Sequence, residues 1–110
     1  MRFEKEIVNS QKLYSIGYCS RLDKYILSEV VTWVAWYNRY YEITEDEYNF
    51  YGTYEFEELV ASIRKEGTAS SRFLFSDKKE ENNPEQDYLR NNLHKSIGII
   101  KVETCSHFYP

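Results

Sequence analysis

Residues 30–48 read VVTWVAWYNRYYEITEDEY, and the way this stretch divides decides the fold. Its first part, residues 30–37, is rich in β-branched and aromatic side chains, which suit a half-buried pleated surface. A helix would also fit the pattern, since Ile26, Val30, Trp33 and Tyr37 fall at i, i+4, i+7 and i+11. Strand is the preferred reading. At Thr44 the chemistry changes. Thr44 and Glu47 form a T-x-x-E capping box, in which hydroxyl and carboxylate each satisfy an orphan backbone N–H. Ile43 is placed to pack on Tyr48 as a hydrophobic staple. Glu45, Asp46 and Glu47 fill the first turn, where the helix dipole favours negative charge. A strand should therefore give way to a helix at Thr44.

Working outward toward the N-terminus, residues 12–19 alternate, with Tyr14, Ile16 and Tyr18 on one face of a half-buried strand. Residues 20–24 (SRLDK) read as a turn, and a second strand begins near Tyr25, giving a hairpin. The apolar stretch from Ile26 to Ile43 exceeds one ordinary strand, so a bend near Ala35–Asn38 would supply two. Residues 2–8 are a short strand or a turn of helix. Toward the C-terminus, the capped helix covers about 45–51, and a second runs from about Tyr54 to Glu66. In it Phe56, Leu59, Val60 and Ile63 form an apolar stripe. Gly67 follows as the residue that ends it. RFLFS at 72–76 is a short apolar run. Asn83 and Pro84 suit the N-cap and first position of a helix reaching about Leu93. Residues 96–103 (SIGIIKVE) read as a final strand. The expected fold is α+β: one domain over 1–110, with an antiparallel sheet of four or five strands and two or three helices. A chain of 110 residues supports one core rather than two.

Charge is unevenly distributed. The net charge is −4, yet residues 40–63 contain seven acids and no Lys or Arg. The rest of the chain has eleven acids against fourteen bases, a surplus of three positive charges. Phosphate binding needs a basic face, so this pattern disfavours nucleic acid as a direct partner and fits a basic protein. Eleven tyrosines raise the aromatic content to 17%, which favours an interface as well as a core boundary. Two cysteines, Cys19 and Cys105, are too few for a disulfide framework, and the N-terminus has no apolar core of signal-peptide length. No apolar run reaches the roughly 20 residues that span a bilayer. These features predict a cytoplasmic protein without a membrane partner.

Catalytic chemistry has little support in the sequence. Cys19, Cys105 and His107 lack the paired spacing of a zinc site. Ser96 with His94, or Cys105 with His107, could be written as nucleophile and base, but no strained-turn motif surrounds either pair. Glu57 and Glu58 are adjacent carboxylates of a kind common on solvated helix faces. The four glycines are isolated, so no phosphate-binding loop exists and no cofactor is expected. A small ribonuclease using His94, Arg90 and a tyrosine is the enzyme alternative. An acidic adaptor or subunit is a third reading.

The order of features over about residues 25–90 resembles small immunity proteins of bacterial contact-dependent growth inhibition systems. It comprises an aromatic strand ending in RYYEIT, an acidic EDEY helix start, the LVASIRKEG helix, an FLF segment and an ENNPEQ turn. The resemblance implies a non-enzymatic cytoplasmic protein that binds and neutralises the C-terminal toxin domain of its cognate system. Many such toxins are nucleases, whose basic clefts hold phosphates. On that reading Glu45, Asp46, Glu47, Glu55, Glu57 and Glu58 supply charge to the interface, and Tyr48 and Tyr51 supply anchors.

Overall fold

The computed structural model describes residues 3–32 and 34–101, with backbone alone over 94–101. Five strands form one antiparallel sheet in chain order: β1 (Glu4–Asn9), β2 (Tyr14–Cys19), β3 (Lys24–Val31), β4 (Tyr37–Ile43) and β5 (Phe73–Ser76). Three α-helices accompany it: α1 (Glu45–Asn49), α2 (Tyr54–Glu66) and α3 (Pro84–Lys101). The α+β class and the strand and helix numbers are those the sequence predicts.

The stretch from Ile26 to Ile43 does divide into two strands, paired from Tyr25↔Ile43 to Val31↔Tyr37. Of residues 30–37, read above as strand, Val30, Val31 and Tyr37 lie in β3 and β4, whereas Thr32 and residues 34–36 do not. Thr32 and residues 34–36 lie at the tip of the β3–β4 hairpin, with Val34 and Trp36 exposed, and Trp33 lies outside the described residues. High β-propensity describes fitness for a packed pleat, and here no neighbouring element provides one. The β2–β3 turn holds Asp23 at a φ of 54°, a left-handed conformation that Asp tolerates better than most residues.

Helices cover both faces of the sheet. Tyr14, Ile16, Leu27, Tyr41 and Ile43 meet Phe56, Val60 and Ile63 of α2 in the larger core. Cys19, Ile26, Tyr40 and Phe75 meet Leu89 and Leu93 of α3 in the smaller one, so the single domain carries a core on each face of its sheet where its length suggested one. Adjacent residues Tyr40 and Tyr41 thus serve opposite cores, as the period-2 pleat requires. In β5 the register breaks between the pairs Tyr40↔Phe75 and Tyr41↔Phe73. That irregularity sends Phe73 and Phe75, which a regular strand would place on one face, to different cores. Gly17 admits the N-terminal segment: a Cβ there would collide with the Cβ of Phe3 and approach the Glu4 carbonyl to 3.0 Å.

The helix ends follow the sequence signals. The Thr44–Glu47 box is formed, with the Glu47 N–H donating to Thr44 Oγ1 (3.1 Å) and the Thr44 N–H to Glu47 Oε1 (2.8 Å). Ile43 and Tyr48 belong to one core cluster. Thr53 caps α2 through the Phe56 N–H, and Gly67 ends it at a φ of 57°. Asn83 and Gln86 cap α3 reciprocally, each side chain accepting the other's N–H at 2.8 Å. The helix does not stop near Leu93, however. It continues to Lys101, so the strand expected at 96–103 is helix over 96–101, and 102–103 lie outside the described residues. Leu89, Leu93 and Ile97 keep an i, i+4 spacing in sequence, and continuing the helix outweighs the strand preference of β-branched isoleucines. The outer edge of β5 is closed by Asn82, whose carboxamide accepts from the Ser76 N–H (2.7 Å) and donates to the Ser76 carbonyl (2.8 Å).

Phe75 is fully buried and stacks on Tyr40 at 4.5 Å. Truncation in Phe75→Ala should cost about 3–5 kcal/mol of unfolding free energy in urea denaturation. Val34→Ala, at a position 92% exposed, should change it by no more than about 0.5 kcal/mol. Equal losses in the two variants would contradict the packing described.

Candidate functional site

The acids of residues 40–63 divide into those tied to the fold and those left to solvent. Glu47 is tied twice. Besides its capping role, its two oxygens accept from both terminal nitrogens of Arg72 at 2.7 Å each. Arg72 sits just before β5 and so joins α1 to the sheet. That guanidinium holds the Glu47 carboxyl below the usual range despite partial burial. Glu57 accepts from Lys12 Nζ at 2.7 Å and from the Tyr14 hydroxyl at 3.1 Å, and Lys12 chiefly lowers its pKa. Burial, followed by that hydrogen bond, pushes the Tyr14 phenol up to about 12. Glu42 pairs with Lys24 at 3.2 Å.

The remaining four carboxylates, Glu45, Asp46, Glu55 and Glu58, are exposed and make no ion pair among the described residues. Glu45, Asp46 and Glu55 lie on the first turns of α1 and α2 and Glu58 on the second turn of α2, with the loop at 50–53 between the helices. This places charge outward along one continuous ridge of chain.

The two anchor tyrosines expected from sequence are placed differently. Tyr48 is half-buried, lies 5.0 Å from the Tyr25 ring and donates its hydroxyl to the Lys5 carbonyl at 2.6 Å. Tyr51 is half-buried too, edge-on to Tyr14 at 6.4 Å and to Phe56 at 5.6 Å. Both hold α1 and its following loop on the sheet. The aromatics that do face solvent here are Phe50, 50% exposed, and Tyr54, 74% exposed. Tyr54 was legible: with Thr53 as cap it is the first helical residue, turned away from the Phe56–Val60–Ile63 stripe. Phe50 had no such signal, because it closes a helix only five residues long.

Two further ion pairs bind secondary elements together. Glu29, buried on β3, accepts from Arg64 of α2 at 2.7 Å, and burial raises its pKa against the pull of that cation. Arg39 of β4 grips Glu81 through Nε at 2.9 Å and Nη2 at 2.6 Å, with the Tyr37 hydroxyl also donating at 2.7 Å. Exposed apolar groups also occur away from the ridge. Trp36 and Val8 border a shallow groove of about 460 Å³ on the sheet face beside α3.

The residues considered for catalysis do not assemble into a described site. Arg90 is held by Asp87 within α3 at 2.9 Å. The side chains of His94 and Ser96, and all of Cys105 and His107, lie outside the described residues. Cys19 is a buried thiol. Among the described residues, no group of three His, Cys, Asp or Glu could hold a metal, and no helix is long and apolar enough to cross a membrane. No protein-family model, curated protein or solved structure matches the chain.

Acid unfolding should reveal what the Arg39–Glu81 pair contributes. Arg39 holds Glu81 down to about 2, below an unfolded value of about 4.3. Its contribution is therefore complete above the unfolded value and is lost as pH falls toward 2. Glu47 acts in the same sense, whereas Glu29, raised by burial, loses stability as pH rises through its titration. Unfolding free energy measured from about pH 5 down to about pH 2 should fall less steeply in Glu81→Gln than in wild type. An unchanged slope would mean that the Arg39–Glu81 pair contributes nothing.

Proposed function

We propose that the protein is a non-enzymatic immunity protein that neutralises a basic toxin domain by docking through the α1–α2 ridge. One observation carries this reading. Four carboxylates without an ion-pair partner among the described residues, Glu45 and Asp46 before and Glu55 and Glu58 after, flank two exposed aromatic rings, Phe50 and Tyr54, while the neighbouring acids are committed to the fold. The resemblance in feature order supplies the kind of partner, and a nuclease toxin would present a basic cleft. The protein's task is then coverage. Complementary potentials bring the ridge to the cleft, and desolvated aromatic contacts hold it there, so that substrate phosphates cannot enter.

The roles of charge and ring can be measured separately. Association kinetics should be followed with the toxin domain encoded immediately upstream of this gene, at low and moderate salt. Glu55→Lys combined with Glu58→Lys should slow association about tenfold or more and flatten its salt dependence. Phe50→Ala with Tyr54→Ala should instead speed dissociation by about tenfold. Wild-type rate constants in both double variants would place the interface elsewhere. Toxin-independent RNA cleavage that disappears in His94→Ala would favour the ribonuclease alternative.

A further inference from the structure

A groove of about 560 Å³ opens at the end of the sheet opposite the exposed β3–β4 tip. The β2–β3 turn, the end of β4, the start of α1 and the first residues of β1 border it. Two of its walls are the cross-strand pair Tyr18 and Tyr25, with ring centroids 5.1 Å apart and planes inclined at 58°. Tyr48 supports Tyr25 from behind at 5.0 Å. The rim carries four carboxylates, Glu4, Asp23, Glu42 and Glu45, against two lysines, Lys5 and Lys24. Lys24 is occupied by Glu42 at 3.2 Å. The lining therefore keeps two net negative charges beside aromatic surface.

We propose that this groove binds an arginine side chain presented by a basic polypeptide. Tyrosine faces attract a cation through the ring quadrupole, and a planar guanidinium can lie on a ring while its edge N–H groups reach carboxylates. An ammonium can satisfy the charge but not the stacking. The Tyr18 hydroxyl donates to Asp23, which fixes the ring's orientation and, with some burial, pushes the phenol up to about 12. Tyr18 is thus a neutral wall near neutral pH, while Glu4, Asp23 and Glu45 have no cation of their own among the described residues. Glu45 also stands at the start of the ridge, so one partner could engage ridge and groove together. The inference extends the toxin-binding reading, with the basic partner supplying the arginine.

The test needs no toxin, so its failure leaves that reading standing. The full-length, nitrogen-15-labelled protein would be titrated with the blocked tripeptide Gly-Arg-Gly and with its isosteric neutral counterpart Gly-citrulline-Gly. The arginine peptide should shift the backbone amides of Tyr18, Asp23, Tyr25 and Glu45 saturably, with a Kd of about millimolar order. Citrulline should bind at least about fivefold more weakly, since it keeps the shape and loses the charge. Asp23→Asn combined with Glu45→Gln should weaken the arginine peptide by a similar factor. Asn tolerates the left-handed conformation at position 23, so the amide spectrum should stay native. Equal binding of the two peptides, unchanged binding in the double variant, or shifts confined to α2 would each overturn the proposal.

Discussion

The β3–β4 pairing is the constraint on which the rest of the molecule depends. It puts Tyr40 and Tyr41, neighbours in sequence, on opposite faces of a sheet that is covered on both. A residue on either strand must therefore match one of two cores, and a slip of one position would exchange every partner. β5 meets the same demand with four residues, and its broken register gives one phenylalanine to each side. α2 and α3 then pack on surfaces already determined by the pleat. Their caps set where they begin, and the sheet sets which way they face.

Electrostatics follows a similar division of labour. Three carboxylates held below their ordinary range, Glu47, Glu57 and Glu81, each join segments far apart in sequence. Their partners Arg72, Lys12 and Arg39 all come from the strands or the residues beside them. Of the acids in residues 40–63 that lack such partners, Glu45, Asp46 and Glu55 lie in the first turns of α1 and α2, where the backbone dipole already favours them. Local helix chemistry and exposure are thus compatible at Glu45, Asp46 and Glu55. The two explanations do not compete for the same residues elsewhere in the segment, because Glu47 and Glu57 are engaged inside the molecule.

Much of the fold was legible because it rests on short-range signals. The T-x-x-E box, the stripe of α2, Gly67 and the Asn83–Pro84 start each act within about four residues, and each is formed as the sequence suggests. Two failures share a different cause. Thr32, Val34 and Trp36 have strand-forming side chains but lie between β3 and β4, and residues 96–101 include β-branched isoleucines but continue a helix. In both, composition was overruled: at the hairpin by the lack of a packed pleat among the described residues, and in α3 by continuation of a helix already begun. The candidate site shows the same limit. The charges of the ridge could be counted from the sequence, and the staple with Ile43 already turned Tyr48 inward, whereas Tyr51 could not be assigned to the core boundary without knowing that Tyr14 and Phe56 approach it.

The closure of the sheet edges bears on how a partner can be read. At β5 the Asn82 carboxamide occupies both main-chain groups of Ser76, as a further strand would. At β1 the register breaks between Glu4 and Ile7, and Lys5 turns into a left-handed conformation. Neither edge of this sheet presents an unbroken main-chain row for strand addition among the described residues. On the proposed reading, recognition is then written in side chains. Main-chain pairing would tolerate many sequences, but a surface of exposed carboxylates and rings can change its preferred partner one substitution at a time. Because those residues contribute little to the core, the scaffold can remain constant while specificity diverges.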